Sequence, residues 1–202
     1  MADSRPRSRM TTSPPQNSSG ELFFPDFRNL MTSLESHLEK GADRELDAVV
    51  ACCQHLAALL KAHENSLRFF FTEAAAARTL TDIITAMKTS LDHVALQAAG
   101  CDVLSIFAAR FSGLAATQAF TEDATAAVLA AMTAHPGNVD IQMLGCTMFS
   151  WLQCSWLQPL STTILHSSCL EAVFTAMQTH SESETVIANG CWALTVFFSR
   201  LA

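Results

Sequence analysis

The stretch NVDIQMLGCTMFSWL, residues 138–152, contains a motif that this chain repeats. Related stretches are HVALQAAGCDVLSIF at 93–107 and SETVIANGCWALTVF at 183–197. Their Gly-Cys pairs lie 45 residues apart. An Ala-Met pair precedes each Gly-Cys pair, and the Ala-Met pairs are also 45 residues apart from one another. A constant period in the forties, with helical spacing of apolar residues inside each copy, predicts an α-solenoid.

The helices that carry Gly-Cys are apolar on nearly every side, which is typical of a helix packed between neighbours. Glycine in the middle of a helix costs about 1 kcal/mol relative to alanine. Its presence in all three copies therefore predicts that a neighbouring helix approaches too closely to leave room for a Cβ atom. The adjacent cysteine is expected to pack as a small apolar residue.

The third copy also contains NGCWALTVF, residues 189–197, which resembles the third-helix pattern of armadillo and HEAT-type repeats. In that pattern a small residue and Cys-Trp precede a leucine and a small hydroxyl residue. The resemblance covers 72–202 and extends more weakly to 26–62. It implies an all-α, right-handed armadillo-like solenoid in which each repeat has a short first helix, a second helix with Ala-Met and a long third helix with Gly-Cys. About three to four repeats are expected, with units at 26–62, 66–110, 112–155 and 157–202.

The first residues have a different composition, MADSRPRSRMTTSPPQNSSG, which is too poor in apolar side chains to offset the entropy of ordering. We therefore predict a disordered tail over 1–22 and a repeat domain over 23–202. No apolar run approaches the roughly 20 residues that a membrane span needs. The odd number of cysteines, seven, and the lack of a secretory apolar segment indicate a reduced, cytoplasmic protein.

Charge and motifs argue against several functions. The net charge is −7, and no Lys or Arg lies between Arg110 and Arg200, so a nucleic-acid partner is not expected. No catalytic, phosphate-binding or zinc motif occurs, which predicts no enzyme activity, no cofactor and no metal. Histidines near the expected turns, such as His135 and His180, are interpreted as solvated, and Asp123 as a carboxylate at a helix start.

The armadillo resemblance also suggests where a partner would bind. In the nuclear-import type, an asparagine on each third helix holds the backbone of an extended peptide, but the matching positions here are Ile106, Trp151 and Val196. We predict an apolar strip that receives an apolar helix or peptide from a protein partner. The alternative is that Ile106 and Trp151 pack within the array. The residue before each member of this strip carries a hydroxyl, and these residues, Ser105, Ser150 and Thr195, are expected to bond back to their own helices.

The last helix is apolar on its outer side, with Trp192 and Phe198, although a terminal repeat normally needs a polar outer face. This predicts either that the chain is a fragment of a longer array or that its C-terminal end docks on another molecule, including a second copy of itself. The leading interpretation is a non-catalytic scaffold or adaptor that binds a protein. The alternative is a regulatory or dimerisation array of a larger protein, for example one that contains a kinase.

Overall fold

The computed structural model describes residues 29–37, 45–62, 73–110, 118–154 and 163–199. Those residues form helices and no strand, which confirms the all-α class. The helices are α1 (29–37), α2 (Leu46–Ala62), α3 (Glu73–Thr89), α4 (Val94–Arg110), α5 (Gln118–Ala134), α6 (Val139–Cys154), α7 (Thr163–Thr179) and α8 (Glu184–Ser199). The expected tail over 1–22 and the expected short first helices lie outside the described residues.

Helices α2 to α8 alternate between two layers. Helices α2, α4, α6 and α8 pack side by side in chain order, and α3, α5 and α7 form the second layer in the same order. Each Gly-Cys helix also packs on the Ala-Met helix that precedes it. The two helices of a pair have 16 or 17 residues each, so the Ala-Met helix is about as long as the Gly-Cys helix.

The core lies where the two layers meet. Its largest side chains include one phenylalanine from each Gly-Cys helix, and each is 1% exposed: Phe107, Phe149 and Phe197. Phe107 and Phe197 occupy equivalent positions, and Phe149 lies about one turn earlier in its helix. Burying one such side chain stabilises the fold by about 1.5–3 kcal/mol. The apolar period seen in the sequence is therefore the pattern of residues that face this interior.

Each motif glycine faces a methionine of the preceding helix. A Cβ atom on Gly145 would clash with Sδ of Met132, and one on Gly100 would clash with Sδ of Met87. For Gly190 the nearest atom is Cγ of Met177, at 2.5 Å. The predicted close approach is confirmed. The Ala-Met and Gly-Cys signatures are thus the two sides of a single contact, which recurs in all three helix pairs.

The turns that join these helix pairs share one hydrogen-bond pattern. In the middle turn, the Asn138 N–H donates to the His135 carbonyl at 3.1 Å. The same bond joins His93 to Ser90 and Ser183 to His180. Asn138 then caps α6, because its Oδ1 accepts the N–H of Ile141 at 3.0 Å. Residues that differ in type, His93, Asn138 and Ser183, therefore occupy equivalent capping positions.

Candidate interaction surface

The predicted partner-binding residues lie partly in the core and partly on the surface. Ile106 is 7% exposed and belongs to the hydrophobic core, so it has little area to offer a partner. Trp151 is 38% exposed, Trp192 is 54% exposed and Phe198 is 52% exposed, whereas Val196 is half-buried. The exposed members lie on α6 and α8, in the second half of the chain.

Three of these residues share one side of their layer. Trp151 and Val196 stand at equivalent positions on α6 and α8, which pack against each other. Trp192 lies one helical turn before Val196 and therefore on the same face of α8. We call this set, Trp151, Trp192 and Val196, the tryptophan surface. Exposed aromatic side chains of this kind are enriched where proteins bind one another.

The same side of the layer changes in character along the stack. The position that holds Trp192 in α8 holds Thr147 in α6 and Asp102 in α4. Asp102 pairs with Lys61 of α2, with 2.7 Å between Oδ2 and Nζ. Because that pair is partly exposed, it contributes no more than about 1 kcal/mol. The side is therefore charged at α2 and α4 and aromatic at α6 and α8.

Phe198 lies on a different face of α8, together with Cys191 and Thr195, which are also exposed. We call this set the terminal face. The residues of α6 that correspond to Cys191 and Thr195 are Cys146 and Ser150, and they are 0% and 2% exposed because α8 packs against this helix. Among the described helices, none covers the terminal face.

The hydroxyl row beside the predicted strip behaves as expected. Ser105 Oγ donates to the Asp102 carbonyl at 2.8 Å, and Ser150 Oγ donates to the Thr147 carbonyl at 2.6 Å. Thr195 Oγ1 donates to the Cys191 carbonyl at 2.8 Å. Each hydroxyl thus bonds back to its own helix.

Cysteines of the first two copies lie in the interior. Cys101 and Cys146 are free thiols with no exposed area, and burial raises the pKa of each thiol to about 12. Such thiols stay protonated near neutral pH and react poorly. Within the described ranges, no group of three or more His, Cys, Asp or Glu residues is placed to hold a metal ion.

Two histidines predicted to be solvated are half-buried and also join successive turns. Nε2 of His135 lies 2.7 Å from the carbonyl oxygen of Leu91, and Nε2 of His180 lies 2.8 Å from that of Pro136. A carbonyl only accepts, so each ring donates. The stacking of helix pairs brings a turn within reach of the preceding one, which the local sequence around a histidine does not reveal.

Sequence reasoning also missed a buried glutamine in two of the copies. Gln142 is 3% exposed, and its Nε2 donates to the carbonyls of Met132 and His135 at 2.9 and 3.0 Å. Gln97 makes the same two bonds 45 residues earlier, whereas the third copy has Ile187 at this position. The available signal was a glutamine four residues before the cysteine, at an otherwise apolar position.

Asp123 does not lie at a helix start. Helix α5 begins at Gln118, and Asp123 lies in its second turn. The Lys88 Nζ on α3 donates to Asp123 Oδ1 at 2.6 Å, so this carboxylate links two neighbouring helices of the Ala-Met layer. Long-range pairing, rather than the helix dipole, accounts for its position.

No protein-family model, curated protein or solved structure matches this chain. No helix in the described part of the chain combines the length and apolar character needed to cross a membrane.

Proposed function

We propose that this chain is a non-catalytic scaffold, a right-handed armadillo-like α-solenoid that binds a partner protein in the cytoplasm. The recurrence of one set of contacts supports the solenoid. The Gly-Met contact, the turn hydrogen bonds and the histidine bonds all repeat at an interval of 45 residues. Free cysteine thiols are typical of proteins in a reducing compartment.

The observation that carries the binding proposal is the exposure of Trp151 and Trp192 on one side of a packed layer. Burying two tryptophans offers a partner more apolar area than most other residue pairs would. We propose that the tryptophan surface receives an apolar helix or peptide, with Trp151 at its centre. Asp102 and its pair with Lys61 lie at the charged end of the same side and limit how far an apolar ligand extends toward α2.

Binding is tested by comparing Trp151→Ala and Trp192→Ala with the intact chain in a pull-down from cytosol, followed by purified partner titrations. Phe174→Ala is the matched control, because Phe174 is 45% exposed but lies on the other layer. The proposal predicts that a protein retained by the wild-type chain and by Phe174→Ala is lost from both tryptophan variants. Equal retention by all four chains would contradict it.

Circular dichroism separates a lost surface from a lost fold. Since Trp151 is 38% exposed, we expect Trp151→Ala to keep the helical signal and to lower the unfolding midpoint only slightly. If Trp151→Ala unfolds, the tryptophan packs within the array and the binding proposal fails.

A second candidate function is favoured by the terminal face. In α6 the residues that correspond to Cys191 and Thr195 are covered by a helix of the same repeat type, which favours a similar contact on α8. We propose that a second copy of the chain covers it, which makes the array a dimerisation or regulatory module. The dimer would be symmetric if the two α8 helices met.

Light scattering after size-exclusion chromatography, over a range of concentrations, tests this second candidate. The wild-type mass should rise with concentration, and Phe198→Glu should give a monomer throughout because it places a charge in the apolar contact. Phe174→Glu is the control and should associate like the wild type. A wild-type monomer at every concentration contradicts the candidate.

A further inference from the structure

A groove of about 410 Å³ lies between α5 and α7, on the layer opposite the tryptophan surface. Its floor is apolar and includes Leu129, Met132 and Ala176. Its rim carries short hydroxyl side chains and one carboxylate, Glu171. Glu171 is exposed, and it forms no ion pair with any residue of the described ranges.

The preceding pair of helices shows how this groove arises. Between α3 and α5, Lys88 extends from one helix to Asp123 on the next, with 2.6 Å between Nζ and Oδ1. The residues 45 positions later are Thr133 and Ser168, and both line the groove. Their short side chains cannot make the same bridge, so the space that the lysine stem spans in one copy is open in the next.

The charge distribution determines which group suits the open space. Residues 111–199 contain no Lys or Arg, so this segment offers Glu171 no permanently charged cation. A phosphate or carboxylate ligand would be repelled by Glu171, and a purely apolar ligand would desolvate the carboxylate without compensation. A lysine side chain combines an apolar stem for the floor with an ammonium group for the rim.

We propose that the groove between α5 and α7 binds a lysine side chain of the partner protein, in the place that Lys88 occupies one repeat earlier. This inference rests on the proposed scaffold function, because it assumes a protein ligand. The stem of the incoming lysine packs on Leu129 and Met132, and its ammonium group pairs with Glu171. The partner therefore engages both layers, with an apolar segment on one and a basic residue on the other.

The probe is the peptide acetyl-Ala-Lys-Ala-amide, titrated into the isotope-labelled chain and followed by the backbone amide shifts of Thr133, Ser168 and Glu171. The matching peptide with norleucine in place of lysine keeps the stem and lacks the charge. We expect saturable shifts with lysine and weaker ones with norleucine. Glu171→Gln should weaken the lysine peptide about threefold, as an exposed ion pair would, and should leave the norleucine peptide unaffected.

The decisive variant is Thr133→Lys combined with Ser168→Asp, which copies the Lys88–Asp123 bridge into the groove and leaves the net charge unchanged. It should fold with an unfolding midpoint at or above that of the wild type and should lose the lysine-peptide shifts. Shifts that persist in this variant, or equal binding of lysine and norleucine peptides, would overturn the proposal.

Trp151→Ala distinguishes this inference from the proposed function. The variant should bind the lysine peptide like the wild type, because the tryptophan surface and the groove lie on different layers. Peptide binding without any tryptophan-dependent partner would support the groove and contradict the scaffold proposal. A partner whose binding requires the tryptophans, together with no response to the lysine peptide, would support the scaffold proposal and contradict the groove proposal.

Discussion

Helices α6 and α8 carry the same motif in different surroundings. Cys146 and Ser150 of α6 are 0% and 2% exposed, whereas Cys191 and Thr195 of α8 are exposed. Helix α6 packs between α4 and α8, and α8 packs against α6 and α7 on one side only, as far as the described helices show. The motif therefore specifies a helix with two sides suited to packing. Both sides are buried only where a neighbouring helix packs against each of them.

Truncation of core side chains on α6 and α8 should change the free energy of unfolding more than any other substitution considered. Phe149→Ala should lower the free energy of unfolding by about 3–5 kcal/mol, because it removes a fully buried ring. Leu194→Ala, at the equivalent position of α8, should cost less than about 2 kcal/mol since Leu194 is only half-buried. Urea denaturation followed by circular dichroism measures both. Equal losses would show that α8 is packed as fully as α6.

The motif glycines give the next comparison. Gly145→Ala places a Cβ against the buried Met132, and overpacking of this kind should cost about 1–3 kcal/mol, more than the gain in helix propensity. Gly190→Ala should be nearly neutral, because Met177 is half-buried and can turn away. Thermal unfolding compares the two variants.

A double-mutant cycle measures how strongly Gly145 and Met132 depend on each other. Met132→Ala combined with Gly145→Ala should be more stable than the sum of the single effects implies, by at least about 0.5 kcal/mol, because the clash no longer exists. Strict additivity would mean that glycine and methionine do not interact as the contact requires.

The glutamine position allows a reciprocal exchange between copies. Gln142→Ile gives the second copy the residue of the third and leaves the Met132 carbonyl without its donor, since Pro136 has no N–H to offer it. We expect a loss of about 1–2 kcal/mol. Ile187→Gln should stabilise α8 by about 0.5–1 kcal/mol through two new hydrogen bonds. A stabilising Gln142→Ile would contradict the role given to this side chain.

Thiol chemistry tests the comparison with no change in sequence. In the native protein at pH 8, iodoacetamide should alkylate Cys191 while Cys101 and Cys146 remain unmodified, because they are buried and their pKa is raised to about 12. Peptide mass spectrometry quantifies each site, and labelling in urea is the control for intrinsic reactivity. Rapid native labelling of Cys146 would show that α8 does not cover α6.

The sequence predicted the parts of the molecule that depend on local periodicity. Helical spacing around the three Gly-Cys pairs identified the helices, and the unfavourable glycine indicated a close neighbour. It did not show that the neighbour is Met132 for Gly145, because that contact depends on how the turn folds one helix back on the other. The hydrogen bonds of His135 depend on stacking between turns and were missed for the same reason.

The candidate surfaces were predicted less well than the helices. Ile106 and Trp151 occupy equivalent positions, and only their burial separates a core residue from an exposed one. The groove beside Glu171 left no sequence signal on its own, since it becomes visible only when Thr133 and Ser168 are compared with Lys88 and Asp123. The position of a residue in the repeat predicts where its backbone lies. The size of its side chain then determines whether a groove remains between the helices.

One common rotation and translation should relate successive helix pairs, and a crystal structure of the chain would measure both. We expect the rotation and translation that carry 82–108 onto 127–153 to carry 127–153 onto 172–198 as well, with each motif glycine against its methionine. Unrelated operations for the two steps, or motif glycines facing other residues, would contradict this expectation.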